Sequence, residues 1–329
     1  MQDEFTAEMH KEFTISEEAE TCIKVKATLN MQDRMKIDLQ EAAKMYNVSL
    51  ESCMRYRYSY FNLCSDEDIK RRLKYSDIDV WFDFTSDTVD YWDGFWQGND
   101  GLGGSKYDPD SKSGAMQLFH RLLWNKELPN GEKMNLQYSI RKYLTWKGIR
   151  FGSDSITSTF RYYKMKPIIE EVAKDMDDYK GFVESTLRKL YTIGGEIILP
   201  TSGHSINTAR GFHPRIKDRW DLTLECIRRF YINEESPLTK VLNDPVNKSF
   251  FSLFVDFKGF VDFFFLQDCV SEDYSKVILK YDSPLFETYP LPKTKQEYLD
   301  YINKELEFVA KRNNRIQNYL KQLEAESPI

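Results

Sequence analysis

The chain has 329 residues, of which 15% are aromatic, and a formal net charge of −6 at pH 7. This length exceeds one average domain, and the aromatic content predicts folded globular structure rather than disorder. The acidic balance gives the protein as a whole no electrostatic reason to coat nucleic acid or an anionic membrane, although it leaves room for a local basic patch.

The five cysteines are scattered along the chain, and none stands in a CxxC pair. This usage excludes the common zinc-ribbon layouts and fits a reducing compartment. The opening MQDEFTAEMHKEF is acidic rather than a basic-then-apolar signal, and charged residues interrupt the richest apolar stretch, residues 250–266. We therefore expect a cytoplasmic protein that does not span a membrane.

Residues 1–64 predict a separate helical unit. Helices are predicted over residues 37–46 and from 50 to about 61, and the short segment NVS between them is typical of the turn in a helix-turn-helix. In this interpretation the second helix presents to DNA the residues Ser49, Ser52, Arg55 and Arg57. The alternative is a helical hairpin used for packing or dimer contact.

The phrase DLQEAAKMYNVSLESCMRYRYSYFNL also resembles the tail of the ImmA/IrrE family of metallopeptidase regulators, where a short helical unit follows the catalytic helix. The chain lacks the HExxH motif of those peptidases. The resemblance therefore implies no peptidase activity.

The main domain is predicted over residues 78–293, and its pattern indicates an α+β fold that is mostly helical with a small central sheet. Short strands are predicted near residues 78–84, 147–151 and 195–199. The first of them rests on alternating apolar residues, Ile78, Val80, Phe82 and Phe84. In the long loop that follows, the segment DPDS at residues 108–111 is compatible with an acidic metal loop or with ordinary turn chemistry.

The segment GGEIILPTSGHSINTARGFHPRIKDRWDLTLECIRRFY concentrates the best candidate chemistry. If a helix begins near Ile216, the helical period places a charged stripe on one face of it, consisting of Asp218, Asp221, Glu225, Arg228 and Arg229. Such a stripe faces either a cleft or a paired polar network. The second interpretation is equally supported, because acidic residues early and arginines late also complement the helix dipole.

A polar loop is predicted before this helix, and it favours a functional interpretation of the region. Arg210 and Arg215 could hold a phosphate or carboxylate between them, with Asn207 as a further ligand-binding group. His204 or His213 could act as acid or base. Asp218 and Glu225 would orient the site or hold a divalent metal, so that a cofactor remains open while an anionic ligand is expected.

A second candidate site is the segment GSDS at residues 152–155, predicted to follow a strand and precede a helix. Ser153 and Ser155 could bind an anion there together with backbone amides. The alternative is that one of these residues caps the next helix. Farther along, phenylalanines of residues 249–268 recur at helical spacing and predict a core-facing helix whose aspartates need partners.

Several blocks of the chain together resemble an uncharacterised bacterial domain family with no assigned activity. The blocks are DPDSKSGAMQLFHRLLWNKELPNG, FGSDSITSTFRYYK, GGEIILP, SINTARGF, IKDRWDLTLECIRRFY and SFFSLFVDFKGFVDFFFLQD, within residues 78–280. The resemblance implies a cytosolic bacterial protein from a mobile-element or defence context. It implies no particular chemistry.

The last segment, residues 294–329, predicts a long amphipathic helix. Its apolar seam has heptad spacing and consists of Ile302, Leu306, Val309, Asn313, Ile316, Leu320 and Leu323. An asparagine in such a seam fixes register in two-stranded coiled coils, so a homodimer is one interpretation. Packing of the helix on its own domain gives the same pattern and is the other.

Three functional classes are compatible with these features. The first is an enzyme acting on a phosphorylated or nucleotide-like substrate, through the residues just named. The second is a DNA-binding regulator whose large domain senses a ligand. The third is a non-catalytic interaction protein in which the charged stripe is structural.

Overall fold

The computed structural model describes Tyr75 and residues 78–88, 91–97, 108–139, 143–157, 162–201 and 204–326. The predicted helix-turn-helix-like unit lies outside these residues. DNA contact by Ser49, Ser52, Arg55 and Arg57 therefore stays a prediction.

Helices dominate the described part, and they surround one small sheet, which confirms the α+β prediction. The helices are α1 (Tyr91–Trp96), α2 (Pro109–Lys112), α3 (Gly114–Trp124), α4 (Tyr162–Lys174), α5 (Tyr179–Leu190), α6 (Ile206–Phe212), α7 (Trp220–Tyr231), α8 (Thr239–Leu242), α9 (Pro245–Ser252), α10 (Phe257–Phe263) and α11 (Lys295–Glu326). The strands are β1 (Gln137–Ser139), β2 (Tyr143–Trp146), β3 (Ile149–Ser155) and β4 (Glu196–Pro200). Short 3-10 helices lie at Phe84–Asp87, Ile193–Gly195 and Gln267–Cys269. No described helix combines the length and the apolar character needed to cross a bilayer.

The four strands form an antiparallel sheet in the order β1-β2-β3-β4. Lys147 and Gly148 join β2 to β3 with φ angles of 49° and 75°, the backbone that a tight hairpin turn requires. β4 is buried along its whole length, as its continuous apolar run predicts, and pairs Leu199 with Gly152 of β3. The sheet therefore presents the second half of β3 next to a fully buried strand.

The predicted strand at residues 78–84 is wrong. The segment is a turn that leads into the 3-10 helix Phe84–Asp87, which Asp83 caps by accepting hydrogen bonds from the backbone and the hydroxyl of Thr85. Its four alternating apolar side chains are nevertheless buried. The alternation thus predicted which side chains face the core, but it could not supply a neighbouring strand to pair with.

The phenylalanine-rich segment forms two helices, α9 and α10, rather than the single helix predicted from its spacing. Val255 interrupts it with a φ of 68°, and Asp256 caps α10 by accepting from the backbone N–H of Gly259 at 2.7 Å. The rings still meet in the core, where the Phe254 ring centroid lies 5.2 Å from those of Phe250 and Phe260.

The long helix α11 packs its heptad seam on its own chain, since Ile302, Val309, Ile316 and Leu320 are buried there. Asn313 accepts a hydrogen bond from the backbone N–H of Gly194 at 2.7 Å and donates one to the hydroxyl of Thr192 at 2.8 Å. A homodimer through this helix stays a prediction, and one that used the seam would have to displace these contacts.

Arg312, the neighbour of Asn313, is also buried and donates to backbone carbonyls of the segment before β4. Its Nη1 lies 2.9 Å from the carbonyl oxygen of Gly194 and 2.7 Å from that of Glu196, and its Nε lies 2.9 Å from the carbonyl oxygen of Phe264. The helix therefore supplies hydrogen-bond partners that the turn into β4 does not find locally.

Candidate functional site

The local structure around the predicted site differs from the prediction in three places. α7 begins at Trp220 rather than near Ile216, so Asp218 precedes the helix and has a φ of 67°. The predicted loop contains α6, which carries Asn207 and Arg210. Ser153 and Ser155 lie inside β3 rather than after it. Hydrogen bonding across the sheet extends the strand through short polar residues that, taken alone, favour a loop.

Arg210 lies at the centre of a buried ion-pair network and has no exposed surface. Its Nη1 is 2.7 Å from Oδ2 of Asp154 and 2.8 Å from Oδ1 of Asp218. Its Nε donates to the hydroxyl of Thr223 at 3.2 Å, and its Nη2 donates to the carbonyl oxygen of Asp218 at 2.8 Å. The structure thus unites two separately predicted sites, β3 and α6, but it directs this guanidinium at carboxylates of its own chain.

The remaining charges of the predicted stripe form closed pairs. Asp221 is buried against Arg219, whose Nε lies 3.0 Å from Oδ1, and it also accepts from the backbone N–H of Lys280 at 2.9 Å. Glu225 accepts from Nε of Arg228 at 2.7 Å and from Nε of Arg229 at 2.8 Å. Burial alone would raise the pKa of Glu225, but these two hydrogen bonds lower it.

Of the other predicted residues, Asn207 lies nearest to this network. A Cβ placed on Gly152 of β3 would lie 4.0 Å from its side-chain nitrogen, and its buried Oδ1 finds no donor among the described residues. Arg215 is exposed. Burial and the neighbouring Arg215 lower the pKa of His213, which follows α6.

His204 does not join the Arg210 network. Its side chain is 87% exposed, and its Nδ1 lies 3.2 Å from Oδ2 of Asp244. Glu225, on α7, is likewise occupied by its two arginines. The catalytic and substrate-binding roles assigned to these residues from the sequence stay predictions, and the geometry groups only Ser153, Ser155, Arg210 and Asp218 around β3.

Four carboxyl groups from three elements converge beside this network, and we call them the carboxylate cluster: Asp108, Asp110, Asp154 and Glu196. Glu196 begins β4 and is fully buried, whereas Asp108 and Asp110, at the start of α2, are partly exposed. The pKa of Glu196 is well above its usual range, first because of burial, then because of the charge of Asp110 and a hydrogen bond with it. Glu196 therefore favours its protonated form, in which its carboxyl group can donate a hydrogen bond to Asp110.

A buried histidine reaches the cluster from α3. Nδ1 of His120 accepts from the indole N–H of Trp124 at 2.8 Å, so its proton is on Nε2, which donates to the hydroxyl of Ser153 at 2.9 Å. Ser153 in turn donates to Oε2 of Glu196 at 3.2 Å. Burial, and secondarily the charge of Arg312, lower the pKa of His120 to about 3. The imidazole is therefore neutral and cannot accept the serine proton as a base.

Residues 78–316 match the model of a family of unknown function, DUF6994. The chain belongs to this family. The resemblance to an uncharacterised domain family is thereby confirmed, and the match extends beyond residue 280 into α11. It does not include the N-terminal unit, and nothing supports the ImmA/IrrE resemblance. No curated protein and no solved structure matches the chain significantly.

The carboxylate cluster of this DUF6994 chain contains carboxyl groups in different environments. Glu196 favours its protonated form, whereas Asp154 forms an ion pair with Arg210. The described residues include no group of three or more histidine, cysteine or carboxylate side chains with the geometry to hold a metal ion.

Sequence reasoning did not single out His120 or Glu196. His120 occupies an unremarkable position in an amphipathic helix. Glu196 did carry a signal, because it stands at the head of GGEIILP, where every following residue predicts burial. A carboxyl in such a position must be paired or protonated.

Proposed function

We propose that this chain is an enzyme that performs acid–base chemistry at the carboxylate cluster. The observation that carries the proposal is the fully buried carboxyl of Glu196, which forms no ion pair with any described residue and whose pKa is raised by burial and by Asp110. A purely structural network would match each buried carboxylate with a cation, as Arg219 matches Asp221. A carboxyl that keeps its proton beside carboxylates is instead typical of sites that transfer protons.

The positions of the side chains suggest how the roles divide. Asp110 is partly exposed while Glu196 is not, so Asp110 is the group that would present the proton to a substrate, and Glu196 is a positioning residue that holds it. Asp154 keeps 15% of its side chain exposed beside Arg210, whose charge favours the ionised form. It is therefore the general base of the proposal.

A glycoside is the first substrate class of the proposal, because glycoside hydrolysis uses one carboxyl group that gives a proton and a second carboxylate that acts as base or nucleophile. The charge of Arg210 is already matched by Asp154 and Asp218, so this guanidinium does not by itself favour a bare anion. The phosphorylated or nucleotide-like substrate predicted from the sequence would need a divalent cation at this cluster, or would bind elsewhere, near Asn207 and Arg215.

Chromogenic substrates of the two classes test the proposal: nitrophenyl glycosides, and nitrophenyl phosphates or nucleotides with and without Mg²⁺. We expect turnover of an uncharged glycoside. Asp110→Asn and Asp154→Asn should each lower kcat/KM about 100-fold or more, because each removes one proton-transfer group.

The matched control is Asp175→Asn, which changes a carboxylate whose side chain is 65% exposed and pairs with Lys295, outside the carboxylate cluster. It should leave kcat/KM unchanged, and circular dichroism should show that all three variants are folded. Full activity of Asp110→Asn or Asp154→Asn would reject the proposed site. Turnover of phosphates alone would instead support the anionic substrate class.

A non-catalytic interaction protein is the second candidate. The observation that favours it is the closed pairing of Arg219 with Asp221 and of Glu225 with Arg228 and Arg229. These pairs account for most of the charged stripe structurally, but they do not account for Glu196. A DNA-binding role and a defence or mobile-element context remain predictions from the sequence. The DNA-binding role is tested separately, by salt-dependent DNA retention that should be lost in Arg55→Ala and Arg57→Ala variants.

A further inference from the structure

Lys126, just after α3, has an amine surrounded by aromatic rings. Its Nζ lies 4.2 Å from the ring centroid of Phe265, 4.5 Å from that of Phe263, 4.8 Å from that of Tyr319 and 5.2 Å from that of Trp124. Its hydrogen bond goes to the carbonyl oxygen of Phe263 at 2.8 Å. It forms no ion pair with any carboxylate in the described part of the chain. This is an unusual environment for a lysine, which is normally exposed or paired.

The groups around Lys126 act on the pKa of its amine in opposite directions. Burial of the amine, and then repulsion by Arg312, lower the pKa of Lys126 to about 7. The faces of the four rings favour the charged form, as do the carboxylates of Glu127, Asp256 and Asp262 in the same cavity wall. Asp262, however, is bonded to Lys258 and to the hydroxyl of Tyr274, so it is not free to pair with Lys126.

Lys126 also lines an open cleft of about 670 Å³, a volume within the usual range of small-molecule sites. Phe263 and Tyr319 give this cleft an apolar wall, and Asp256, Lys258 and Asp262 give it a polar one. A small molecule in the cleft could therefore rest on the rings and reach both the amine and a carboxyl group. These residues are separate from the carboxylate cluster, although Trp124 contacts both regions.

We propose that Lys126 is a carbonyl-reactive lysine whose amine condenses with an aldehyde or ketone bound in this cleft to form an imine. The neutral amine attacks the carbonyl carbon, a C–N bond forms, and a proton moves from nitrogen to oxygen to give a carbinolamine. The hydroxyl then leaves as water after it gains a proton, and the nitrogen loses its second proton. The balance is amine plus carbonyl gives imine plus water, with no oxidant or reductant.

Each part of the surroundings serves this reaction. An amine buried among apolar rings without a carboxylate partner loses solvation of its charged form, and such desolvation is one of the conditions that activate a nucleophilic lysine. Asp256, in the polar wall of the cleft, can carry the proton to the departing hydroxyl. The rings cover one side of the imine and so limit the access of water to it.

Reductive trapping in the full chain tests the proposal. The protein is treated near neutral pH with limiting benzaldehyde and cyanoborohydride, which reduces an imine to a stable benzylamine, and peptide mass spectrometry measures the labelling rate of each lysine. A lysine with a pKa near 7 is about half neutral there, against fewer than about one in a thousand for an ordinary lysine. We expect Lys126 to be labelled at least about 10-fold faster than Lys258.

Lys258 is the matched control, because it lines the same cleft but is paired with Asp262, which raises its pKa. Labelling of Lys126 should level off above neutral pH, whereas labelling of Lys258 should keep rising into the alkaline range. Labelling of Lys126 no faster than that of Lys258, or a rate that rises alike for both lysines, would overturn the proposal. Because the native chain is labelled, the result does not depend on a variant folding.

Discussion

Arg210 and Arg215 belong to one short segment and were predicted to serve the same anion, yet their surroundings are opposite. Arg210 is fully buried between Asp154 and Asp218, while Arg215 is exposed at the turn after α6. A buried guanidinium is tolerated only when carboxylates and acceptors match it. At the residue scale, therefore, most of the expected loss of stability on removing Arg210 comes from the buried carboxylates that it leaves behind, rather than from its own lost contacts.

Replacing each arginine by methionine separates the two roles. Arg210→Met should lower the free energy of unfolding by about 3–5 kcal/mol, because it leaves two carboxylates without their cation. Arg215→Met should change it by less than about 0.5 kcal/mol. Urea denaturation measures both. Arg210→Met combined with Asp218→Asn should recover part of the loss, and equal effects of the two single changes would contradict this account.

At the scale of elements, the contact between α11 and the 3-10 helix before β4 can be tested by adding a single methyl group. A Cβ on Gly194 would lie 2.6 Å from the carbonyl oxygen of Val309 and 2.6 Å from Oδ1 of Asn313. The first of these atoms belongs to the backbone of α11, so the helix itself must move. Only glycine therefore allows this approach.

Gly194→Ala should destabilise the fold by about 1–3 kcal/mol, the usual range for overpacking. The matched control is Gly211→Ala in α6, where the nearest atom, Oδ1 of Asp218, is 3.9 Å from the added Cβ. That change should be neutral or stabilise by up to about 1 kcal/mol, since alanine is the better helix former. Thermal unfolding followed by circular dichroism compares them, and a neutral Gly194→Ala would contradict the close approach of α11 to this turn.

Periodicity predicted the elements that carry a long apolar face or a continuous apolar run in their own sequence. α11 and β4 are of this kind, because a long heptad seam and a continuous apolar strand are local signals. Residues 78–84 and 152–155 are not, because whether they pair as strands depends on which segment lies beside them. The start of α7 was misplaced for a related reason, since the bend at Asp218 is held by Arg210.

The candidate site was only partly predictable, because its contacts are long-range. The pairing of Arg210 with Asp154 joins positions 56 residues apart, and that of Ser153 with Glu196 joins positions 43 residues apart. The sequence offered each residue type but not these distances. The protonation of Glu196 could not be predicted either, because its pKa is raised mainly by burial that only the assembled sheet creates.

At the scale of the whole molecule, His120 and Glu196 should make stability depend on pH. The two buried groups are joined by hydrogen bonds through Ser153, and they lower the stability at opposite ends of the pH range. Native His120 binds its proton only near pH 3, whereas an unfolded histidine does so near about 6.5, so unfolding takes up a proton and stability falls as the pH drops through this window. Native Glu196 keeps its proton above the usual range, so unfolding releases one, and stability falls as the pH rises from about 4.5 through its raised pKa.

Glu196→Gln should remove the alkaline decline and leave the acid decline, which amounts to on the order of 5 kcal/mol for His120 at about 1.4 kcal/mol per pKa unit. The glutamine amide keeps an acceptor for Ser153 and offers a donor to Asp110. The measurement is the free energy of unfolding in urea across the pH range, with Glu170→Gln, an exposed site on α4, as the control. An unchanged alkaline limb in Glu196→Gln would mean that other groups cause it.

The bonds from Arg312 and Asn313 to the turn before β4 also fix an order of events during protein synthesis. β4 is translated long before its partners, because Arg312 follows Glu196 by 116 residues and Asn313 follows Gly194 by 119. Until those residues leave the ribosome, the turn at Gly194 has unsatisfied amides and carbonyls, and an apolar strand stands next to them. The contact between α11 and the turn before β4 therefore forms last. A ribosome that stalls within α11 leaves this turn and β4 open to chaperones and proteases.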